Sequence, residues 1–267
     1  MIVDQILCAK VIEVSKSAGS FIREQRKNFN VNVVEYKGLH DLVSYVDRGA
    51  EKILVDGLMP IIEDAGFITE ENTITIKDKE FCWIIDPLDG TTNFVHGLPC
   101  FCVSVGLIHN GIPVLGVVYE INLDECFYGW KGGGAFCNGD IIKVSAVNNL
   151  SSSLIATGFP YTNYEKMDPY MNVFDYCMKN THGLRRLGSA AVDLAYVACG
   201  RLEGFYEYGL QPWDVTAGAF LVAEAGGSVG DFSGGANYLF GKEIIACNGN
   251  VYPQFLEVVK REFNSKN

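Results

Sequence analysis

Apolar residues at Val3, Leu7, Val11, Val14, Ala18 and Phe21 recur every three or four positions, the spacing that lays one apolar stripe along an α-helix. An amphipathic helix is therefore predicted from Val3 to Phe21. A second is predicted from near Ser44, with Asp47 three positions on as a capping-box-like pair and Ala50, Ile53, Leu54 and Leu58 as its buried stripe. The period then changes. Phe81 to Ile85 is apolar on both faces and too short for a helix, so it reads as a central strand ending at Asp86, stopped by the turn Pro87-Leu88-Asp89-Gly90. Cys102 to Ile108 and Ile112 to Tyr119 flank Asn110-Gly111, a two-residue hairpin signal, and Glu125 to Lys131 continues the sheet. Residues 1–150 thus read as helices packed on an antiparallel sheet, an α+β half.

Past the Gly132-Gly133-Gly134 and Asn138-Gly139 turns, the pattern shifts near Ser151 to alternating strand and helix. Leu154 to Thr157, Gly204 to Tyr208 and Glu243 to Cys247 are predicted strands. Ala190 to Cys199, Asp214 to Ala225 and Tyr252 to Phe263 are predicted helices. Residues 151–267 are therefore an α/β half. No internal repeat or low-complexity tract separates the halves, which implies one continuous body.

Composition narrows the class. With 267 residues and 48% of them hydrophobic, the chain can bury a substantial core. The apolar stretch Met1 to Val14 is broken by Asp4, Gln5, Lys10 and Glu13, so it reads as neither signal peptide nor membrane span. Nine cysteines are an odd number, and Cys82, Cys102 and Cys199 sit in apolar runs; reduced thiols in a cytoplasmic protein fit best. There is no C-x-x-C pair and His40, His96, His109 and His182 are scattered, which argues against structural zinc. A net charge of −11 argues against a nucleic-acid partner. A small anionic substrate meets the same repulsion unless the acidic residues facing it hold divalent cations, which reverse the local field.

Four acidic places lie at strand ends or helix starts: Glu70-Glu71, Asp86, Asp89 and Asp214. Singly, each has an ordinary explanation as a solvated turn, a polar strand exit or an N-cap. Jointly they suggest a metal and phosphate corner. Pro87 stiffens the link between Asp86 and Asp89, and Gly90 lets the Gly90 and Thr91 amides face an anion. Carboxylates brought to about 5 Å would repel by about 3 kcal/mol per pair at an effective dielectric near 20, a cost that cations remove. Oxygen ligands without Cys or His select Mg²⁺ or Mn²⁺.

Two segments then carry a family resemblance: Trp83-Ile84-Ile85-Asp86-Pro87-Leu88-Asp89-Gly90-Thr91-Thr92-Asn93-Phe94, and Trp213-Asp214-Val215-Thr216-Ala217-Gly218 running into Glu224-Ala225-Gly226-Gly227. With Glu70-Glu71 upstream, the chain resembles the inositol monophosphatase family, within the lithium-sensitive, Mg²⁺-dependent sugar phosphatases. The resemblance implies a five-layered αβαβα sandwich, a homodimer, and two or three Mg²⁺ ions, with Mn²⁺ as a substitute. It implies Glu70, Asp86 and the Leu88 carbonyl on one metal, and Asp86, Asp89 and Asp214 on another. It also implies Glu70, Thr91 and Asp47 as catalytic residues, Thr91 with Asp47 positioning the attacking water, and the Gly90 and Thr91 amides on phosphate. Gly188, Ser189, Ala190 and Glu207, with Asp89 and Asp214, are implied on the substrate, and Lys37 as a loop lysine near the metals. Thr69, where many relatives have glycine, and Gln211, where some have histidine, depart from the pattern.

The implied reaction is Mg²⁺-dependent hydrolysis of inositol monophosphate or a similar small polyol phosphate. Phosphatases of bisphosphate nucleotides, fructose bisphosphate or histidinol phosphate share the scaffold, and Asn93-Phe94-Val95-His96-Gly97 resembles the inositol branch. A non-catalytic binding protein is the alternative of another class, though it would have no need of the complete acidic set. No P-loop pattern occurs, and His96 and His182 sit in no nucleophile pattern.

Overall fold

The computed structural model describes residues 3–29, 35–36, 42–43, 45–76, 79–160 and 163–264. Asp4 accepts the Leu7 N–H at 3.0 Å and so caps α1 (Gln5–Lys27), which runs past the predicted end at Phe21. The two-residue strands β1 (Glu35–Tyr36) and β2 (Leu42–Val43) pair antiparallel. Helix α2 (Tyr45–Leu58) buries Ala50, Leu54 and Leu58 as its spacing predicts; Ser44, its expected cap, lies outside the described residues, as does Lys37.

β3 (Gly66–Thr69) pairs in parallel with β4 (Phe81–Asp89). After the short helix α3 (Thr91–His96) the chain meanders antiparallel through β5 (Cys102–His109), β6 (Ile112–Glu120), β7 (Glu125–Trp130), β8 (Gly134–Cys137) and β9 (Asp140–Ile142). The large sheet has the order β3-β4-β5-β6-β7-β8-β9, so its expected antiparallel character fails at one edge. Gly66–Thr69 carried too short a pattern to be read from the sequence.

The second sheet forms from β10 (Leu154–Thr157), β11 (Gly183–Arg185), β12 (Gly204–Tyr208), β13 (Gly227–Gly230) and β14 (Glu243–Asn248), in the order β11-β10-β12-β14-β13. It is mixed: β10 lies parallel to β11 and β12, whereas β14 runs antiparallel to β12 and β13. Four helices complete the fold, namely α4 (Met167–Asn180), α5 (Ala190–Ala198), α6 (Pro212–Glu224) and α7 (Tyr252–Asn264).

Contacts set the layers. α1 and α2 cover one face of the large sheet, α5 and α6 lie between the two sheets, and α4 and α7 cover the far face of the small one, giving αβαβα. Each helix layer has its own apolar core: Leu54 and Trp83 in the first, Leu194 and Leu221 in the second, Tyr206 and Phe255 in the third. The central layer is tight because glycines stack across the sheet. Gly106 pairs with Gly116, and Gly116 with Gly129. A Cβ at Gly106 would stand 2.5 Å from Thr216 Cγ2, and one at Gly116 would stand 2.6 Å from the Ala217 carbonyl oxygen. Side chains there would lift α6 off the sheet.

β4 also corrects the sequence reading. It continues through Pro87 to Asp89, because its register against β5 shifts: Asp86 faces Ser104, but Asp89 faces Cys102. Three residues on one strand match two on the other, a β-bulge that also accommodates the missing Pro87 N–H. The bulge has a consequence for side-chain direction. Residues three apart on a regular strand point to opposite faces, and the extra residue restores Asp86 and Asp89 to one side.

Candidate active site

Six elements end or begin around one cleft of about 490 Å³. Glu70 follows β3, Asp86 and Asp89 stand on the β4 bulge, Gly90 and Thr91 open α3, Ser189 and Ala190 open α5, Glu207 stands on β12, and Asp214 lies in the first turn of α6. Residues expected to act together are thus brought together. The cleft also takes in Leu88, Gly188 and Gln211. Asp47 stands behind it, touching Thr91, while Lys37 falls outside the described residues.

Three of the carboxylates are held by specific donors. Asp86 Oδ1 accepts the Leu88 N–H at 2.9 Å, which leaves the Leu88 carbonyl directed elsewhere. Thr91 Oγ1 lies 3.0 Å from that carbonyl oxygen and 3.0 Å from Asp47 Oδ1. Asp89 Oδ2 accepts both the Ser189 hydroxyl and the Ala191 N–H, each at 2.7 Å. Asp214 is the third residue of α6 and not its N-cap; its Oδ2 accepts the Gln211 N–H at 2.7 Å. The Glu70 N–H donates to the Ile85 carbonyl at 3.2 Å, which seats Glu70 beside Asp86.

The electrostatics are strongly one-sided. Among the described residues lining the cleft, Glu70, Asp86, Asp89, Asp193, Glu207 and Asp214 face one cation, Arg186. Burial, then the Asp214 charge, pushes Glu70 well above the usual carboxylate range, and burial with the Glu70 charge does the same to Asp86. Burial and the Asp89 charge raise Asp214 to about 7. Asp89 itself is raised by burial to about 6, with Ser189, Ala191 and Arg186 pulling it back. Glu207 and Asp193 are also pushed well up, by burial first and then by neighbouring carboxylates. Such a set relieves its repulsion by holding protons or by holding cations.

The fit to a metal can be judged from the donors. Among the described residues, no three His, Cys, Asp or Glu side chains are already gathered into a closed metal cluster. The carboxylates instead ring the cleft, and Glu70 keeps a buried oxygen, Oε2, with no hydrogen-bond partner. An unpaired buried carboxylate oxygen is costly, and a hard divalent cation is the ligand that all-oxygen donors suit. Glu70, Asp86, Asp89, Asp214 and the Leu88 carbonyl could therefore hold Mg²⁺.

Several residues of the cleft escaped the sequence reading. Asp193 is buried on α5, with Oδ1 unpartnered, and a lone carboxylate within Ala190-Ala191-Val192-Asp193-Leu194 was the available signal. Gly158 packs so closely on the Glu207 carboxylate that a Cβ there would collide with it. Asn93 spans the two halves of the site, its Nδ2 lying 2.8 Å from both the Cys100 and Leu187 carbonyls. His96 and His182 are exposed and stand outside the cleft lining. The Gly132-Gly133-Gly134 turn leads into β8 and not into a helix, and its Gly132 and Gly134 amides donate to the Glu224 carboxylate. All nine cysteines are free thiols, and among the described residues no helix is long and apolar enough to cross a membrane.

Comparison with known proteins shows the family and the fold. The family model described as the inositol monophosphatase family matches residues 3–264. Nus factor SuhB of Escherichia coli K12 is 38% identical over 254 residues, covering 95% of each chain. Inositol-1-monophosphatase of Mesorhizobium japonicum is 40% identical over 234 residues, covering 87% of this chain and 88% of that one. The crystal structure of extragenic suppressor protein suhB from Bartonella henselae superposes with a TM-score of 0.89 at 39% identity, covering 95% of this chain and 98% of that one.

Proposed function

The chain belongs to the inositol monophosphatase family, and from that premise we propose that it is a Mg²⁺-dependent phosphomonoesterase for inositol monophosphate or a similarly small polyol phosphate. The observation that carries this reading is the convergence of Glu70, Asp86, Asp89 and Asp214 from three separate segments on one cleft. A purely structural surface has no reason to collect unneutralised carboxylates at that cost.

Mg²⁺, held by Glu70, Asp86, Asp89, Asp214 and the Leu88 carbonyl, would neutralise charge on the phosphoryl oxygens and make the attacking water more acidic. The protein's own groups do the positioning. The Thr91 hydroxyl donates its hydrogen bond to Asp47, so the Thr91 oxygen can accept a hydrogen bond from a water on the cleft side. Glu70, seated beside Asp86, is the group to receive the proton that water gives up. The Gly90 and Thr91 amides bind the phosphate, and the positive φ of 98° at Gly90 lets the backbone turn toward it. Glu207, with Gly188, Ser189 and Ala190, receives the polyol hydroxyls. The ester phosphorus takes the water oxygen as its bond to the polyol oxygen breaks, and the polyol leaves as its hydroxyl with the proton that the water gave to Glu70.

The remaining parts of the reading follow the family resemblance: two or three metal ions, inhibition by lithium, a homodimer in the cytoplasm. The test is phosphate release by purified protein from inositol monophosphates, fructose bisphosphate, nucleotide bisphosphate and histidinol phosphate, with and without Mg²⁺. Magnesium-dependent preference for inositol monophosphates is expected. Turnover of another member moves the substrate and keeps the site. The relative named a Nus factor, at 38% identity, supports a second reading in which hydrolysis is not the chain's only role. No turnover of any ester would instead promote the reading of a non-catalytic binding protein on this fold.

A further inference from the structure

Glu51 lies one helical turn beyond Asp47 on the buried face of α2, and it is fully buried. A glutamate in such a place needs several donors, and it has four, all from one short turn. Oε1 accepts the Thr69 hydroxyl at 2.9 Å, the Thr73 N–H at 2.8 Å and the Thr73 hydroxyl at 2.6 Å; Oε2 accepts the Glu71 N–H at 2.8 Å. The turn so gripped is the one that carries Glu70. Asn72, at its tip, holds a left-handed φ of 54° and donates from Nδ2 to the Glu70 carbonyl at 3.0 Å.

We infer that Glu51 is a positioning residue for the site, fixing the Glu70 turn to the same helix that presents Asp47 to Thr91, with the Thr69 hydroxyl as part of the grip. The inference rests on the proposed role of Glu70 for its functional meaning. Asp47 and Glu51 are spaced by four residues, so they project from one side of α2 and move as one rigid body. One helix thereby fixes two distant parts of the cleft, Thr91 and Glu70, relative to each other. Thr69 gains a reason as well. Its hydroxyl, itself fully enclosed, donates to Glu51 and also lies 3.2 Å from the Ile74 carbonyl oxygen.

A merely structural role predicts something different. If Glu51 served only to fill the core, an apolar side chain of similar size would replace it without harm. Of the donors it would abandon, those of Glu71 and Thr73 lie on a turn that water reaches, and the buried Thr69 hydroxyl keeps the Ile74 carbonyl, so the fold survives. What is lost is the fixed position of the turn.

The experiment compares wild type with Glu51→Met and Glu51→Gln by two readouts: amide hydrogen exchange and calorimetric titration with Mn²⁺. The Glu71 and Thr73 amides are expected to exchange at least about tenfold faster, those of β4 to be unchanged, and Mn²⁺ affinity to fall about tenfold or more. Thr69→Val removes only one donor and is expected to move both readouts the same way by less. Should the Glu51 variants not fold, Thr69→Val decides. Folded variants with wild-type exchange and wild-type Mn²⁺ affinity would overturn the inference. Wild-type protein that takes up no Mn²⁺ would instead overturn the proposed function, and exchange at Glu71 and Thr73 would still decide whether Glu51 holds the turn.

Discussion

The Ser189 hydroxyl donates to Asp89 Oδ2 at 2.7 Å, joining the start of α5 to the bulge of β4 across 100 residues of chain. That one contact binds the small-sheet half of the molecule to the carboxylate pair of the large sheet. Ser189 does a second job, since its oxygen also accepts the Val192 N–H at 3.3 Å as the N-cap of α5.

Ser189→Ala removes both contacts. The lost cap and hydrogen bond cost about 1 kcal/mol, a Tm decrease of roughly 2–4 °C. The functional effect is pH-dependent. Ser189 pulls the Asp89 carboxyl down from where burial puts it, so without Ser189 the pKa of about 6 rises further. Protons then compete harder for the metal-facing carboxylate, and Mn²⁺ affinity by calorimetry should fall more at pH 6 than at pH 8. An equal loss at both would mean that Ser189 acts only through the cap.

Metal-free protein should be more stable near pH 5 than near pH 8. Asp89 and Asp214 have folded-state pKa values of about 6 and about 7, raised from 3.8. The folded state therefore binds more protons than the unfolded state from about pH 4 to about pH 7, and stability falls as pH rises through that window. Mg²⁺ reverses the penalty by replacing the protons, so its Tm increment should be larger at pH 8 than at pH 5. Asp214→Asn should raise the metal-free Tm at pH 8 while lowering kcat by roughly three orders of magnitude or more. Retained activity would remove Asp214 from the ligand set.

The contrast between Asp86 and Asp193 shows what the sequence could and could not reveal. Asp86, Asp89 and Asp214 were legible because each lies at the end or the start of a strongly patterned apolar run, and β4, β5, β6, α5 and α6 were legible for the same reason. The β-bulge was not, since nothing local shows that residues three apart on a strand will share a face; it is set by pairing with Ser104 and Cys102. Short elements such as β3 and β11 were also hidden, having too few residues for a period to emerge. Asp193 was passed over because a single charge in an apolar helix has no spacing partner. Its meaning comes only from β12 and Arg186 across the cleft.

Gly116→Ala should be among the more damaging single-methyl additions to this protein. The new Cβ would stand 2.6 Å from the Ala217 carbonyl oxygen, a backbone atom that cannot rotate away. α6 must rise from the sheet, and overpacking of this kind costs about 1–3 kcal/mol. Since α6 carries Asp214 in its first turn, Mg²⁺ affinity should weaken together with the Tm, measured by calorimetry and thermal melts. Gly111→Ala is the control. Its Cβ meets nothing within 4 Å, so only the strain of a φ of 80° is added, far from the cleft.

Glu207 and Gly158 give the sharpest separation between chemistry at phosphorus and recognition of the alcohol. Glu207 is buried, and the proposed mechanism gives it no proton transfer and no metal. Glu207→Ala should therefore raise KM or redistribute preference among polyol phosphates, with kcat for the best substrate within about tenfold of wild type. Gly158→Ala reaches the same end from the opposite side, because its Cβ would displace the Glu207 carboxylate without removing it. The two variants should shift the substrate profile in the same direction, and the double variant should add little to Glu207→Ala alone, since both act on one contact. Additive effects would mean that Gly158 touches substrate by itself. An unchanged profile in Glu207→Ala would take Glu207 out of the polyol subsite.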